Sequence, residues 1–295
     1  MELGPATKTT PYNGSLLKFI RDSQNYTAKL SFFRQYIIWR YTIGSGAINY
    51  RLIFQKDNPN ATYWVYLFFW YFRNTVNQAK AQKVKASDLL PKFREFLPWF
   101  NAPDEYQALH IDLKTKITFK VIALYINELQ SILQGSPTVQ GSGFTVYKVS
   151  SEYPGLPKPG PTFEPTAVPQ IPFNSTTISS DFNFAPFISP SGASYLYSIF
   201  IPGGTKGPLF IDSDLHAYSS FEHEILLPHG VTFDILKYSN VMLDYIDPAS
   251  INIKQIQSKD TIGMGTVYDL NEYAPTKGAA KIQKKPFVIF ETVLR

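Results

Sequence analysis

At 221–230 the chain reads FEHEILLPHG: two glutamates two residues apart, ahead of an apolar run and a Pro-x-Gly turn. On a strand, residues two apart point to one face, so Glu222 and Glu224 would look the same way. Two adjacent carboxylates raise each other's pKa, weakly in solvent and strongly in a cleft. A cleft pair can stabilise a developing cation or take a proton. A solvent-facing pair on an edge strand fits the same pattern and does no chemistry. His216, His223 and His229 lie near these glutamates, together with Asp212 and Asp214. Histidine spacings of seven and six fit no helix-borne metal pair, so no metal is expected. GGTKGP at 203–208 lacks the spacing of a phosphate loop and reads as a turn.

These residues need elements to hold them. In the first 135 residues, SLLKFIRD, AKLSFFRQYIIWRY, ATYWVYLFFWYFRNTVNQ and ITFKVIALYINELQSIL place apolar residues three and four apart, the spacing of amphipathic helices. TYWVYLFFWYF is too short to span a bilayer, which needs about 20 apolar residues, so it reads as a buried core helix. LPKFREFLPWF and PDEYQ read as short helices or turns. After QGSPTVQGSG (134–143), short β-branched and aromatic runs bounded by Pro, Gly, Asn and Asp predict strands: FTVYKVS, YLYSIFIP, HEILL, VTFDILKY, SINIKQIQ and PFVIFETVL. Between the first two lies a segment, 154–172, with seven prolines, expected to be a surface loop and partly polyproline-like. The order predicts an α+β fold: a helical lobe over 1–140 and a β-rich part over 141–295, forming one compact unit.

Composition narrows the chemistry. With no cysteine, disulfides, thiolate catalysis and Cys-ligated zinc are excluded. The 23 Phe and 19 Tyr predict a ring-rich core. Residues 1–140 hold 17 Lys+Arg against 9 Asp+Glu, a charge of +8, while 141–295 hold 11 against 14, a charge of −3. The basic half can face an acidic partner, but its charges sit among apolar residues at helical spacing, the usual mark of a solvated face. No aromatic-plus-basic platform specific to nucleic acid stands out. The opening MELGPATKTTPYNG does not read as a signal peptide. With no transmembrane span either, a cytoplasmic, virion-associated or delivered protein is expected.

The context of the glutamates carries a resemblance. E-x-E followed by an apolar run, Pro-x-Gly and an aromatic (EHEILLPHGVTF, 222–233) resembles the catalytic strand of arginine-modifying mono-ADP-ribosyltransferases of the clostridial C2 type. YTIGSGAINYRL (41–52) is similar to their helical Tyr-Thr…Ile-Asn…Leu-Arg signature, permuted at its end. PFNSTTISSDF (172–182) is similar to their aromatic-x-Ser-Thr-Ser strand, with Ser175, Thr176 and Thr177 in the last three places. The resemblance runs in the family's order from about residue 15 to the C-terminus.

It implies a helical N-terminal region packed on a mainly antiparallel β-sandwich of ADP-ribosyltransferase type. It also implies NAD as substrate, no metal, and a protein acceptor with an exposed arginine. Glu224 matches the carboxylate beneath the ribose, which stabilises an oxocarbenium-like transition state. Glu222 matches the residue that orients and deprotonates the arginine, and Ser175 the one that holds the catalytic glutamate. Thr176, Thr177, Tyr147 and Lys148 fall in the cofactor-binding places, and Tyr218, in IDSDLHAYSS (211–220), in the acceptor-recognition loop. Two positions depart from the family. Its first-strand arginine is Lys148 here, which keeps the charge and loses the bidentate fork, and the glycine after it is Val149. The departures keep open a second reading, a catalytically degenerate relative with a structural or interaction role.

Overall fold

The computed structural model describes residues 14–77, 89–150, 164–178, 194–211, 224–246, 255–256, 267–268 and 282–295. The helical half holds α1 (Gly14–Thr27), α2 (Phe32–Ile43), α3 (Gly46–Phe54), α4 (Ala61–Asn77), α5 (Leu97–Asn101), α6 (Pro103–Ala108) and α7 (Ile111–Gln134), with a 3₁₀ turn at Pro91–Phe96 before α5. The LPKFREFLPWF and PDEYQ segments thus form short helical pieces, as their prolines and length suggest. The aromatic run 62–72 lies inside α4, where Phe68, Phe69 and Val65 are fully buried. Phe33 and Phe100 pack on this helix, with Phe72–Phe100 ring centroids 4.5 Å apart and Phe33–Phe72 at 5.7 Å. Rings supply most of this core, since each buries a large area with few rotamers to freeze.

The strands are β1 (Phe144–Ser150), β2 (Thr166–Gln170), β3 (Asn174–Thr177), β4 (Ser194–Ile201), β5 (Leu209–Phe210), β6 (Glu224–Leu227), β7 (Val231–Ile246), β8 (Gln255–Ile256), β9 (Val267–Tyr268) and β10 (Ile282–Leu294). Eight of them form one ladder in the order β2-β7-β10-β4-β1-β3-β6-β5, and β8 pairs with β9 apart from it. All neighbours in the ladder are antiparallel except β4 with β10. The fold is α+β.

The ladder cannot be flat. β6 and β7 stand seventh and second in the order, yet only Pro228–Gly230 join them. β2 and β3 stand first and sixth, joined by residues 171–173. Connections this short require the sheet to fold back on itself, with its two halves face to face as in a sandwich. The interior between the halves is a cluster that includes Val168, Phe233, Ile235, Phe290, Tyr197, Val146, Ile225 and Leu227. Helix α1 closes one side of it through Leu16 and Phe19, and the Phe19 and Phe144 rings are 5.1 Å apart. The outer face of β5 and β6 packs instead on the helical layer, with Leu209, Ile211, Leu226 and Phe173 joining the aromatic core of α2, α4 and α7.

Part of the proline-rich segment differs from expectation. Residues 166–170 are a strand, with Pro169 opposite Thr232. An edge strand tolerates proline because one row of its amides needs no ladder partner, and β2 is an edge strand of the ladder. Residues 154–163 lie outside those described. The junction between the helical and β parts is tight: Val139 donates to the Thr205 carbonyl at 2.9 Å and Gly204 to the Val139 carbonyl at 2.8 Å. A β-carbon on Gly203 would collide with the Gly141 carbonyl oxygen, so glycine is required there.

Candidate active site

Glu224 opens β6, where the chain enters the sheet, and is only 4% exposed. Its Cα partner across the ladder is Thr177 on β3, and Thr177 is in turn opposite Tyr147 on β1. Residues directly opposite on antiparallel strands share a face, so Tyr147, Thr177 and Glu224 form a row across three strands. Ser175, two residues before Thr177, looks the same way and lies diagonally across from Glu224. It is exposed. Glu224 also anchors its strand through the backbone, its carbonyl accepting from Ile211 at 2.9 Å.

The helical layer reaches this face through Tyr41, at the end of α2, and Asn49 on α3. The Tyr41 hydroxyl donates to the Phe173 carbonyl at 3.4 Å, and the Asn49 amide donates to both at 3.4 Å. Burial pushes the Tyr41 hydroxyl well above the usual tyrosine pKa. Hydrogen bonding from Asn49 opposes that rise, the nearby Glu224 charge adds to it, and hydrogen bonds with Ser175 and Ser45 oppose it further. Tyr41 is therefore a neutral donor, in contact with the predicted serine and within the field of the predicted glutamate. The Phe173 ring sits edge-on to Tyr41 at 5.8 Å and to His229 at 5.0 Å. Burial lowers the pKa of His229, so the turn after β6 presents a neutral ring to this stack.

Tyr41 and Asn49 fall within the 41–52 signature, but no sequence pattern assigns them partners. They meet at Phe173, the residue before β3, because the break at Gly44 and Ser45 turns α3 back beside the end of α2.

The predicted residues divide between two faces. Strand alternation turns Lys148 and Thr176 away from Glu224 and into the interior of the folded sheet. Lys148 is opposite Tyr197 on β4, and its ammonium donates to the Asn174 side-chain oxygen. Asn174 itself donates to the Pro172 carbonyl at 2.9 Å. Burial lowers the Lys148 pKa to about 8. Thr176 is buried and donates to the Ile225 carbonyl at 2.7 Å. Alternation along β1 thus puts Lys148 on the face opposite the one shared by Tyr147, Thr177 and Glu224. Glu222 and Tyr218 lie outside the described residues, as do His216 and His223.

No family model matches the chain, and no curated protein does. Among solved structures the chain is similar to Plx2a, an ADP-ribosyltransferase toxin from Paenibacillus larvae, at 13% identity and TM-score 0.44, over 95% of this chain and 94% of that one. It is similar at 13% identity and TM-score 0.45 to C2-I, the enzymatic component of the C2 toxin from Clostridium botulinum, where 93% of this chain spans 46% of that chain, under half its length. A third similarity is to C3stau2 from S. aureus, a structure with NAD, at 13% identity and TM-score 0.42, over 95% of this chain and 93% of that one.

Proposed function

We propose that the chain is an NAD-dependent protein mono-ADP-ribosyltransferase that modifies arginine. The observation that carries this reading is the buried carboxylate of Glu224, in register with Thr177, on one face with Ser175 and beside the Tyr41–Asn49 brace. A buried carboxylate beside these hydrogen-bonding side chains suits a reaction in which a ribosyl cation develops as nicotinamide leaves. Ser175 and Tyr41 would orient the site, and Thr177 and Tyr147 continue the same face towards the cofactor. Glu222 would receive the acceptor guanidinium through charge-assisted hydrogen bonds and take its proton. Tyr218 would meet the acceptor protein. The proposal keeps the helical and β parts as one unit with a shared site.

Lys148 favours a second reading. Its ammonium is engaged by Asn174 on the other face, so the phosphate contact made by arginine in the resembled family would have to come from elsewhere. A catalytically degenerate protein, kept for a structural or interaction role, would have this feature. Incubating the pure protein with labelled NAD, with and without a cell lysate, separates the two. Label transferred to lysate protein, together with nicotinamide release, supports the enzyme. No nicotinamide release at millimolar NAD would discard it.

A further inference from the structure

Part of the positive charge of the helical half lies beside exposed apolar side chains, away from the site above. At the C-terminal end of α3, Phe54 is 54% exposed, with the Tyr50 ring tilted against it at 4.5 Å. On α7, Phe119 is 53% exposed, and Ile111 and Leu113 stand out in the first turn. The two helices are joined at this surface by Arg51, which lies 3.7 Å over the Phe119 ring, donates to the Phe119 carbonyl at 2.7 Å and pairs with Asp57 at 3.2 Å. The start of α4 adjoins them, since the Tyr106 hydroxyl contacts both the Thr62 carbonyl and the Thr118 hydroxyl. There Tyr63 is 55% exposed. Lys56, Lys116 and Lys120 are exposed around these side chains. Lys116 and Lys120 are one helical turn apart on the exposed face of α7, on one side of Phe119. Two carboxylates are exposed here as well: Asp112, 3.4 Å from His110, and Asp104 at the α4 edge, which accepts from Tyr66, the ring stacked on Tyr63.

Large apolar side chains that stand in water among lysines need a reason to be there. We propose that this α3–α4–α7 surface docks the protein onto an anionic lipid bilayer. Phe54 and Phe119 enter the boundary between headgroups and acyl chains, and Lys56, Lys116 and Lys120 meet the anionic headgroups. Charge complementarity sets the lipid class. The choice of lysine decides for a bilayer over an acidic protein, because protein interfaces are depleted in lysine and favour arginine, tyrosine and tryptophan at their centres. Lysine's long stem lies along apolar surface while its ammonium stays with the headgroups. No helix among the described residues is long and apolar enough to cross a membrane. The inference is independent of the proposed enzymatic reading: Asn49 lies on the part of α3 that faces the site, whereas Phe54 stands in solvent.

The test is co-sedimentation of the full chain with vesicles of phosphatidylcholine, with and without phosphatidylserine, at two salt concentrations. Binding to the phosphatidylserine vesicles that weakens with added salt is expected, with little binding to phosphatidylcholine alone. Each lysine neutralised should cost roughly fivefold in partition, so Lys116→Glu with Lys120→Glu should lower it by more than tenfold. Phe54→Ser with Phe119→Ser should also release the protein, and circular dichroism should show both variants folded, since all four side chains are exposed. Equal binding to neutral vesicles, or variants that bind as well as the wild type, would overturn the proposal. Binding to immobilised polyglutamate with none to either vesicle would also overturn it and assign the surface to an acidic protein.

Discussion

Glu224 and Lys148 are both partly or fully withdrawn from water, and their surroundings give them opposite consequences. Glu224 lies opposite Thr177 on the face of β3 that carries Ser175, and its charge reaches the Tyr41 hydroxyl. If a cation develops there, Glu224→Gln should lower both NAD hydrolysis and transfer by roughly 10²–10³-fold. Glu222→Gln should spare hydrolysis and lose transfer to arginine, and nicotinamide release measured beside protein labelling distinguishes the two. Lys148 sits in the sandwich interior with a pKa lowered from 10.5 to about 8. Between these values the unfolded chain binds a proton that the folded chain does not, so stability rises with pH across that window. Below pH 8 the folded protein holds the charged amine at a cost. Lys148→Met should therefore be the more stable protein at pH 7, and the gap in melting temperature should close as pH rises from 8 towards 10. A gap that stays constant would show that burial does not perturb this amine.

Among the elements, the joint between α2, β3 and the β6–β7 turn positions the site. Phe173 is 2% exposed and touches both Tyr41 and His229. Phe173→Ala should cost about 3–5 kcal/mol in denaturant unfolding. Tyr41→Phe is the milder probe, because the ring stays in place and only the hydroxyl is lost. It should melt close to wild type yet hydrolyse NAD more slowly, by up to about tenfold for one hydrogen bond. Equal hydrolysis with reduced stability would make Tyr41 a packing residue only. The junction at Gly203 is a backbone constraint, and Gly203→Ala should destabilise by more than about 1 kcal/mol because the Gly141 carbonyl must move.

For the whole molecule, one aromatic core joins helices and strands. Leu209, Ile211, Leu226 and Phe173 from the β part share a cluster with α2, α4 and α7, and Tyr26 on α1 donates to the Ile132 carbonyl of α7 at 2.8 Å. Neither part can unfold without exposing the other's core. Thermal unfolding followed by far-ultraviolet dichroism and by tyrosine fluorescence should give one coincident transition. Two separated transitions would mean that the helical and β parts are independent domains.

The helices and the main strands were legible in the sequence because local periodicity reports local structure. Three- and four-residue spacing marks α2, α4 and α7, and β-branched and aromatic runs mark β1, β4, β7 and β10. Glu224 was legible as a candidate because its spacing and the following turn are local too. The edge strand at 166–170 was hidden by its prolines, and β5 by having only two residues. Strand order and the folding back of the sheet are non-local, and no local pattern encodes that β6 and β7 lie five places apart in the ladder. The partners of each site residue were likewise set by the tertiary structure. Tyr41 and Asn49 acquire a role only when α2 and α3 meet Phe173. Lys148, one residue from Tyr147, is carried to the other face because register across three strands fixes which parity of β1 looks towards Glu224, and that register comes from the paired strands rather than from β1 itself.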